Sequence, residues 1–215
     1  MCIRDRGYEG QPVLSDLSAQ FYPGQIYAIV GGSGSGKTTL FGILSGLKRC
    51  PGQVLLKGDD LLRHRKRHLG QIGFVTQNPQ DQFVTNSVLE EITLSLRARK
   101  DTVDVMARAE EILRHIDLWR YRQLSPYMLS QGQQRRLGVA ALLAYDCQVL
   151  VCDEPTYAQD RKNTLAIMEE LQRQVLERGL CLILSTHDGQ LARDYADCIL
   201  DLKGGKLVAR AQSCL

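Results

Sequence analysis

The sequence predicts an α/β fold with a mostly parallel sheet, an antiparallel β edge and an inserted helical subdomain. Three observations carry this. Short apolar runs alternate with helix-period patterns, the pattern of strands joined by crossover helices. A glycine-rich turn, "GGSGSGKT" at residues 31–38, separates the first such strand from its helix. Between residues 77 and 145 the strand signal stops and helical patterns follow one another.

In chain order, "QIYAIVG" (25–31) predicts a buried strand and "KTTLFGILSGL" (37–47) the helix after it. "QIGFVTQ" (71–77) predicts a second short strand. From Ser87 to about His115 the pattern is helical, through "VLEEITLSLRAR" and "VMARAEEILRHI". A polar turn at Pro126 leads into another helix, "QGQQRRLGVAALLAY". Strand "CQVLVCDEP" (147–155), helix 161–178, strand "LCLILST" (180–186) and a strand pair near "CILDLKGGKLVA" complete the pattern. The expected organisation is one domain over 1–215, with a core from about 8–76 and 146–215 and a helical subdomain from about 77–145. The polar start "MCIRDRG" reads as a fraying tail, or as non-native sequence on a truncated chain that lacks a first strand.

Bulk properties narrow the function classes. The 215 residues are 44% hydrophobic and 24% charged, an ordinary globular composition with enough chain for an ample core. A net charge of +3 makes no case for a nucleic-acid partner. The basic run "RHRKRH" (Arg63 to His68) reads first as a solvated face, and second as a patch for lipid headgroups or nucleic acid. Seven cysteines without CxxC spacing point to a reducing compartment, not to a disulfide framework or zinc site. No apolar run approaches the roughly 18 residues of a membrane span, and no signal peptide is visible. Any work at a membrane is therefore expected from the cytoplasmic side, through a partner.

Gly31, Gly36, Lys37 and Thr38 occupy the fixed positions of G-x-x-x-x-G-K-[ST]. Across Gly31, Gly32, Ser33, Gly34, Ser35 and Gly36, backbone N–H groups can converge on phosphates without Cβ clashes. The helix N-terminus adds unpaired donors and a positive dipole end. Lys37 can reach the β- and γ-phosphates, the Thr38 hydroxyl suits Mg²⁺, and Thr39 can add a further phosphate contact. The motif gives a P-loop nucleoside triphosphatase core; alone it fits kinases, GTPases, helicases and transport ATPases equally.

"VLVCDEP" is an apolar strand ending in Asp153 and Glu154, and ligands of open α/β sheets bind at such strand ends. Asp153 would hold Mg²⁺, directly or through water. Glu154 would polarise the attacking water as general base, a role typically worth about 10²–10⁴ in rate. His187, in "STHD" just past another apolar strand, can contact the γ-phosphate and orient that water. Gln77, at the end of "IGFVTQ", can reach Mg²⁺ or the water.

The order of these pieces, with "LSQGQ" (129–133) after the helical insertion, resembles the nucleotide-binding subunit of ATP-binding cassette (ABC) transporters from about Tyr8 onward. The resemblance implies ATP and Mg²⁺ as ligands. It makes "LSQGQ" the signature motif, commonly LSGGQ: Ser130, Gly132 and Gln133 match, and Gln131 replaces the first glycine. Ser130 and N–H groups near Gly132 would then act in trans, on the γ-phosphate held by a second ATPase subunit, identical or paralogous. Ser130 as an ordinary helix N-cap is compatible with that reading. "TYAQD" (156–160) stands where the family has its D-loop; Asp160 matches, while the residues before it depart from the usual small-residue pattern. Tyr8 matches the aromatic that stacks on adenine.

"QNPQDQF" (77–83) resembles the corresponding segment of energy-coupling factor (ECF) ATPases, which power import of vitamins or transition-metal ions with a separate membrane-embedded substrate-binding protein. That implies a transmembrane coupling protein contacted near Gln77–Arg99, with Pro79 stiffening the segment and Phe83 as an apolar anchor. It also implies a peripheral place on the cytoplasmic face of a cell membrane. The alternatives are the ATPase of another ABC transporter class, a soluble ABC ATPase of DNA repair or translation, and a small-molecule kinase, which would not require "LSQGQ". Against a non-hydrolysing subunit stand the retained Lys37, Asp153, Glu154 and His187.

Overall fold

A computed structural model describes residues 2–3, 6–8, 11–15, 17–99, 104–157 and 159–210, with side chains from Leu14 onward. The strands are β1 Cys2–Ile3, β2 Arg6–Tyr8, β3 Gln11–Leu14, β4 Leu17–Ser18, β5 Ile26–Val30, β6 Gly52–Gln53, β7 Leu55–Leu56, β8 Asp59–Asp60, β9 Ile72–Val75, β10 Val149–Cys152, β11 Cys181–Ser185, β12 Cys198–Lys203 and β13 Lys206–Ala209. The helices are α1 Lys37–Leu44, α2 Val88–Arg97, α3 Val105–His115, α4 Gln131–Ala144, α5 Arg161–Arg178 and α6 Gly189–Tyr195.

The main sheet has six strands in the order β13-β12-β5-β11-β10-β9. Every pairing in it is parallel except β12 with β13, which forms the expected antiparallel edge. Its strands alternate between two cores: Ile26, Ala28 and Val30 face one, Tyr27 and Ile29 the other. Burial on both faces is why these strands read as unbroken apolar runs. Register fixes the functional edge. Cys152 lies opposite Val75 and Leu184, and Ser185 opposite Ile29. The chain therefore leaves β5, β9, β10 and β11 along one edge, and the phosphate loop, Gln77, Asp153–Glu154 and His187 all start there.

A third core joins α2, α3 and α4 through Val88, Ile92, Leu113 and Leu137. Helix α4 serves two cores: Val139 and Leu143 pack on the sheet, while Leu137, Ala140 and Ala141 pack on the helical layer. Ser87 caps α2 by accepting from the Glu90 N–H. Buried Glu91 is satisfied by the N–H groups of Val84 and Thr85 and by the Thr85 hydroxyl at 2.7 Å. Phe83, expected as an anchor for a partner, is instead 6% exposed and belongs to this core. Its ring meets Tyr127 edge-on, and the Tyr127 hydroxyl donates to the Phe83 carbonyl at 3.2 Å.

Several small elements were not predicted. β1 pairs with β4 and β6, β2 with β3, and β7 with β8, all antiparallel. Most are two residues long, too short to show a period. The β7–β8 hairpin turns on Lys57 (φ 51°) and Gly58 (φ 83°), a left-handed pair lacking the usual Asn-Gly or Asp-Gly signal.

The cysteines follow the sheet. Burial pushes the Cys147 thiol up to about 11 and the Cys181 thiol up to about 12, and Cys152, wholly enclosed, rises further. Iodoacetamide is expected to leave these three free thiols unmodified in the native protein and to label them after unfolding, as peptide mass mapping would show. Cys198 is disulfide-bonded. The expectation of thiols throughout does not hold there.

Candidate functional site

The phosphate loop closes between β5 and α1. Gly36, the N-cap of α1, has φ 101°, a conformation that L side chains rarely adopt. At Gly31 a Cβ would stand 2.7 Å from the Leu202 carbonyl oxygen, so the loop cannot rise off the sheet without glycine there. Lys37 is buried and folded back: its Nζ donates to the carbonyls of Gly31 at 2.8 Å and Gly32 at 3.0 Å. Ser35 Oγ is buried with no hydrogen-bond partner among the described residues, a polar atom of the loop left unsatisfied there.

Asp153 connects three strand ends. Its Oδ2 accepts from Thr38 Oγ1 at 2.7 Å, and its Oδ1 accepts from Ser185 Oγ at 2.7 Å. Its N–H donates to the Val75 carbonyl at 2.8 Å. The Ser185 hydroxyl also accepts from the Glu154 N–H at 2.9 Å. Glu154 has φ 53°, a left-handed backbone for a non-glycine residue, and this turn aims its carboxylate along the sheet edge. There Glu154 Oε1 lies 2.5 Å from His187 Nε2. The Glu154 side chain is buried, whereas that of His187 is 56% exposed. Lys37, Thr38, Asp153, Glu154 and His187 thus gather at one edge, as their positions at strand and helix ends led one to expect.

Other predicted residues stand apart from this network. Gln77 lies two residues past β9 and is exposed; among the described residues its side chain makes no hydrogen bond to Thr38 or Asp153. Ser130 caps α4 in a reciprocal box: its Oγ accepts from the Gln133 N–H at 3.3 Å, and its N–H donates to Gln133 Oε1 at 2.9 Å. Ser130 and Gln131 are exposed. No hydrogen bond among the described residues joins this turn to the chain's own phosphate loop. Asp160 caps α5, accepting from the Asn163 N–H at 2.7 Å and Nδ2 at 2.9 Å. The Tyr8 side chain lies outside the described residues.

Two residues at the site were missed. Ser185 is buried in β11 and looks like filler in an apolar run. Arg135, on the second turn of α4, is 3% exposed. Burial lowers its pKa, while nearby Cys152, Asp153 and Glu154 raise it. The "QQRR" context reads as surface charge, and no local signal marks one of its arginines as internal.

An ABC transporter family model matches residues 14–157, more than half of the chain. The chain belongs to the ABC transporter family. It is an ABC-type ATPase domain. The cassette is 37% identical over 194 residues to a Bacillus subtilis (strain 168) protein named for HMP/thiamine import ATP binding, a match covering 89% of this chain and 35% of that protein. It spans about a third of the length of the first curated relatives it matches. Among solved structures it superposes on the cassette MJ0796, a dimeric post-hydrolysis state bound to ADP and Pi, with TM-score 0.85 and 27% identity over 97% of this chain and 95% of that one. It also superposes on cbiO1 of Clostridium perfringens, part of the complex cbiONQ, with TM-score 0.80 and 26% identity over 95% of this chain and 84% of that one. No helix among the described residues is long and apolar enough to cross a membrane.

Proposed function

We propose that this cassette is the ATP-binding and ATP-hydrolysing subunit that powers an ECF-type importer of a vitamin or transition-metal ion. The observation that carries the catalytic part is the chain of contacts Thr38–Asp153–Ser185–Glu154 with His187 on the Glu154 carboxylate. The importer class draws on the "QNPQDQF" segment and on the relatives named for HMP/thiamine import and for the cbiONQ complex.

Lys37 exchanges the carbonyls of Gly31 and Gly32 for phosphate oxygens when ATP enters. The unsatisfied Ser35 hydroxyl gains a partner in the same step. Thr38 and Asp153 offer hard oxygen atoms 2.7 Å apart, a donor set suited to Mg²⁺, which would neutralise phosphate charge. Glu154 accepts the proton of the attacking water, and His187 holds the carboxylate and reaches toward the γ-phosphate. Exposed Ser130 and Gln131 face a second cassette, identical or paralogous, which supplies the other half of each site. The transmembrane partner docks near Gln77–Arg99. With Phe83 internal, the exposed large apolar groups of that segment are Val84, 74% exposed, and Leu94, with Tyr127 beside Phe83.

Light scattering of Glu154→Gln tests the shared site. With Mg-ATP the mass is expected to double, and without nucleotide to stay monomeric. A monomer that still binds ATP would rule out self-pairing and require a paralogous partner.

A further inference from the structure

We propose that Arg135 is a positioning residue that ties the Ser130 end of α4 to Gln77 and so couples engagement of a second cassette to hydrolysis. This rests on the ATPase reading. Arg135 makes no ion pair among the described residues. Its guanidinium is spent on backbone: Nη1 donates to the Thr76 carbonyl at 2.6 Å, and Nη2 to the Gln77 carbonyl at 2.5 Å. A planar fork holds two successive carbonyls from two donor groups fixed in one plane, whereas an ammonium, like that of Lys37 on Gly31 and Gly32, bonds them from a single rotatable centre. A buried guanidinium is costly to keep, and these two bonds compensate it in part.

A second contact acts from the same helix. Three residues on, Gly138 leaves room for the Gln82 side chain; a Cβ there would collide with Gln82 Nε2. Gln82 Oε1 in turn accepts from the Thr76 N–H at 3.4 Å. On the opposite side, Val75 accepts from the Asp153 N–H. The chain from Val75 to Gln82 is therefore held between the acid pair and α4. The first turn of α4 is Gln131–Gln133, the surface offered to the second cassette. Rigid movement of α4 on closure carries the Gln77 backbone with it, because both Gln77 and Thr76 hang from Arg135.

The test measures kcat and KM for Mg-ATP, equilibrium affinity for a fluorescent ATP analogue, and thermal midpoint. The variants are Arg135→Ala, Arg135→Lys, Gly138→Ala and the double variant Gly138→Ala with Gln82→Ala. Arg135→Ala is expected to lower kcat by about 10- to 100-fold with analogue affinity within about twofold. Arg135→Lys, with one compact donor group, falls between. Gly138→Ala expels Gln82 and lowers kcat in the same direction, and removing the Gln82 side chain as well restores part of it. If Arg135→Ala fails to fold, the Gly138 pair decides alone. Wild-type kcat in Arg135→Ala overturns the inference, as does a joint fall of kcat and affinity that lysine does not rescue. A wild-type chain that neither hydrolyses ATP nor binds the fluorescent analogue overturns the ATPase reading and this inference with it.

Discussion

Glu154→Gln is expected to lower kcat by about 10²–10⁴-fold, the range for removing a general base. Glutamine has nearly the same shape. It keeps the backbone turn at φ 53°, the N–H bond to Ser185 Oγ and a carbonyl oxygen for His187 Nε2. What it loses is the capacity to take a proton. The phosphate loop and the Thr38–Asp153 contact are untouched, so affinity for Mg-ATP is expected to stay within about twofold, the signature of an interaction used only in the transition state. Single-turnover phosphate release, paired with analogue titration, separates the two quantities. A variant that hydrolyses at the wild-type rate would remove Glu154 from the reaction. Attention would then pass to His187, the proton-accepting side chain in contact with that carboxylate.

How much of this was visible in sequence follows from the range of the interactions involved. Strands β5, β10 and β11 are buried on both faces, so each is an apolar run that ends abruptly in polar residues. Helix α5 runs Arg161–Arg178 as predicted because Asp160 starts it and Gly179, at φ 66°, stops it. Helix α6 escaped because it has seven residues, and its cap, Asp188, sat inside a motif being read for chemistry. The same confusion of roles applies to Asp160. It is singled out in the sequence as the residue that matches the family's D-loop, and within the chain it is a helix cap.

At the site, legibility followed locality. Lys37 and Thr38 belong to a contiguous motif, and Asp153, Glu154 and His187 stand directly after strands, so order along the chain predicts their convergence. Ser185 and Arg135 act across 32 and 59 residues of sequence, on Asp153 and the Thr76 carbonyl respectively. Their meaning depends on which strand neighbours which, and that is fixed only by the sheet order β11-β10-β9. Phe83 erred the other way. An aromatic in a loop looks like a docking group until the helical core takes it in.

Ser130→Arg is expected to lower steady-state hydrolysis by about 100-fold or more, on the scale of losing one preorganised donor to transition-state charge. The reason is not loss of fold. Ser130 is exposed, and its cap contributes about 1 kcal/mol of the roughly 5–15 kcal/mol that holds a domain. Ser130→Ala, which loses the same cap and leaves the turn open, controls for that and falls less. The arginine instead fills the space at the start of α4 where the partner's γ-phosphate would sit. Its effect must then appear on the other chain's nucleotide, and mixing shows whether it does. Lys37→Ala disables a phosphate loop; Ser130→Arg disables a signature turn. A mixed dimer of the two contains one site with both defects and one with neither. Recovery of activity on mixing two inactive proteins requires the turn of one chain to serve the loop of the other. No recovery, with mixed dimers present by mass, would mean that Ser130 serves its own chain and that "LSQGQ" is a helix cap and nothing more.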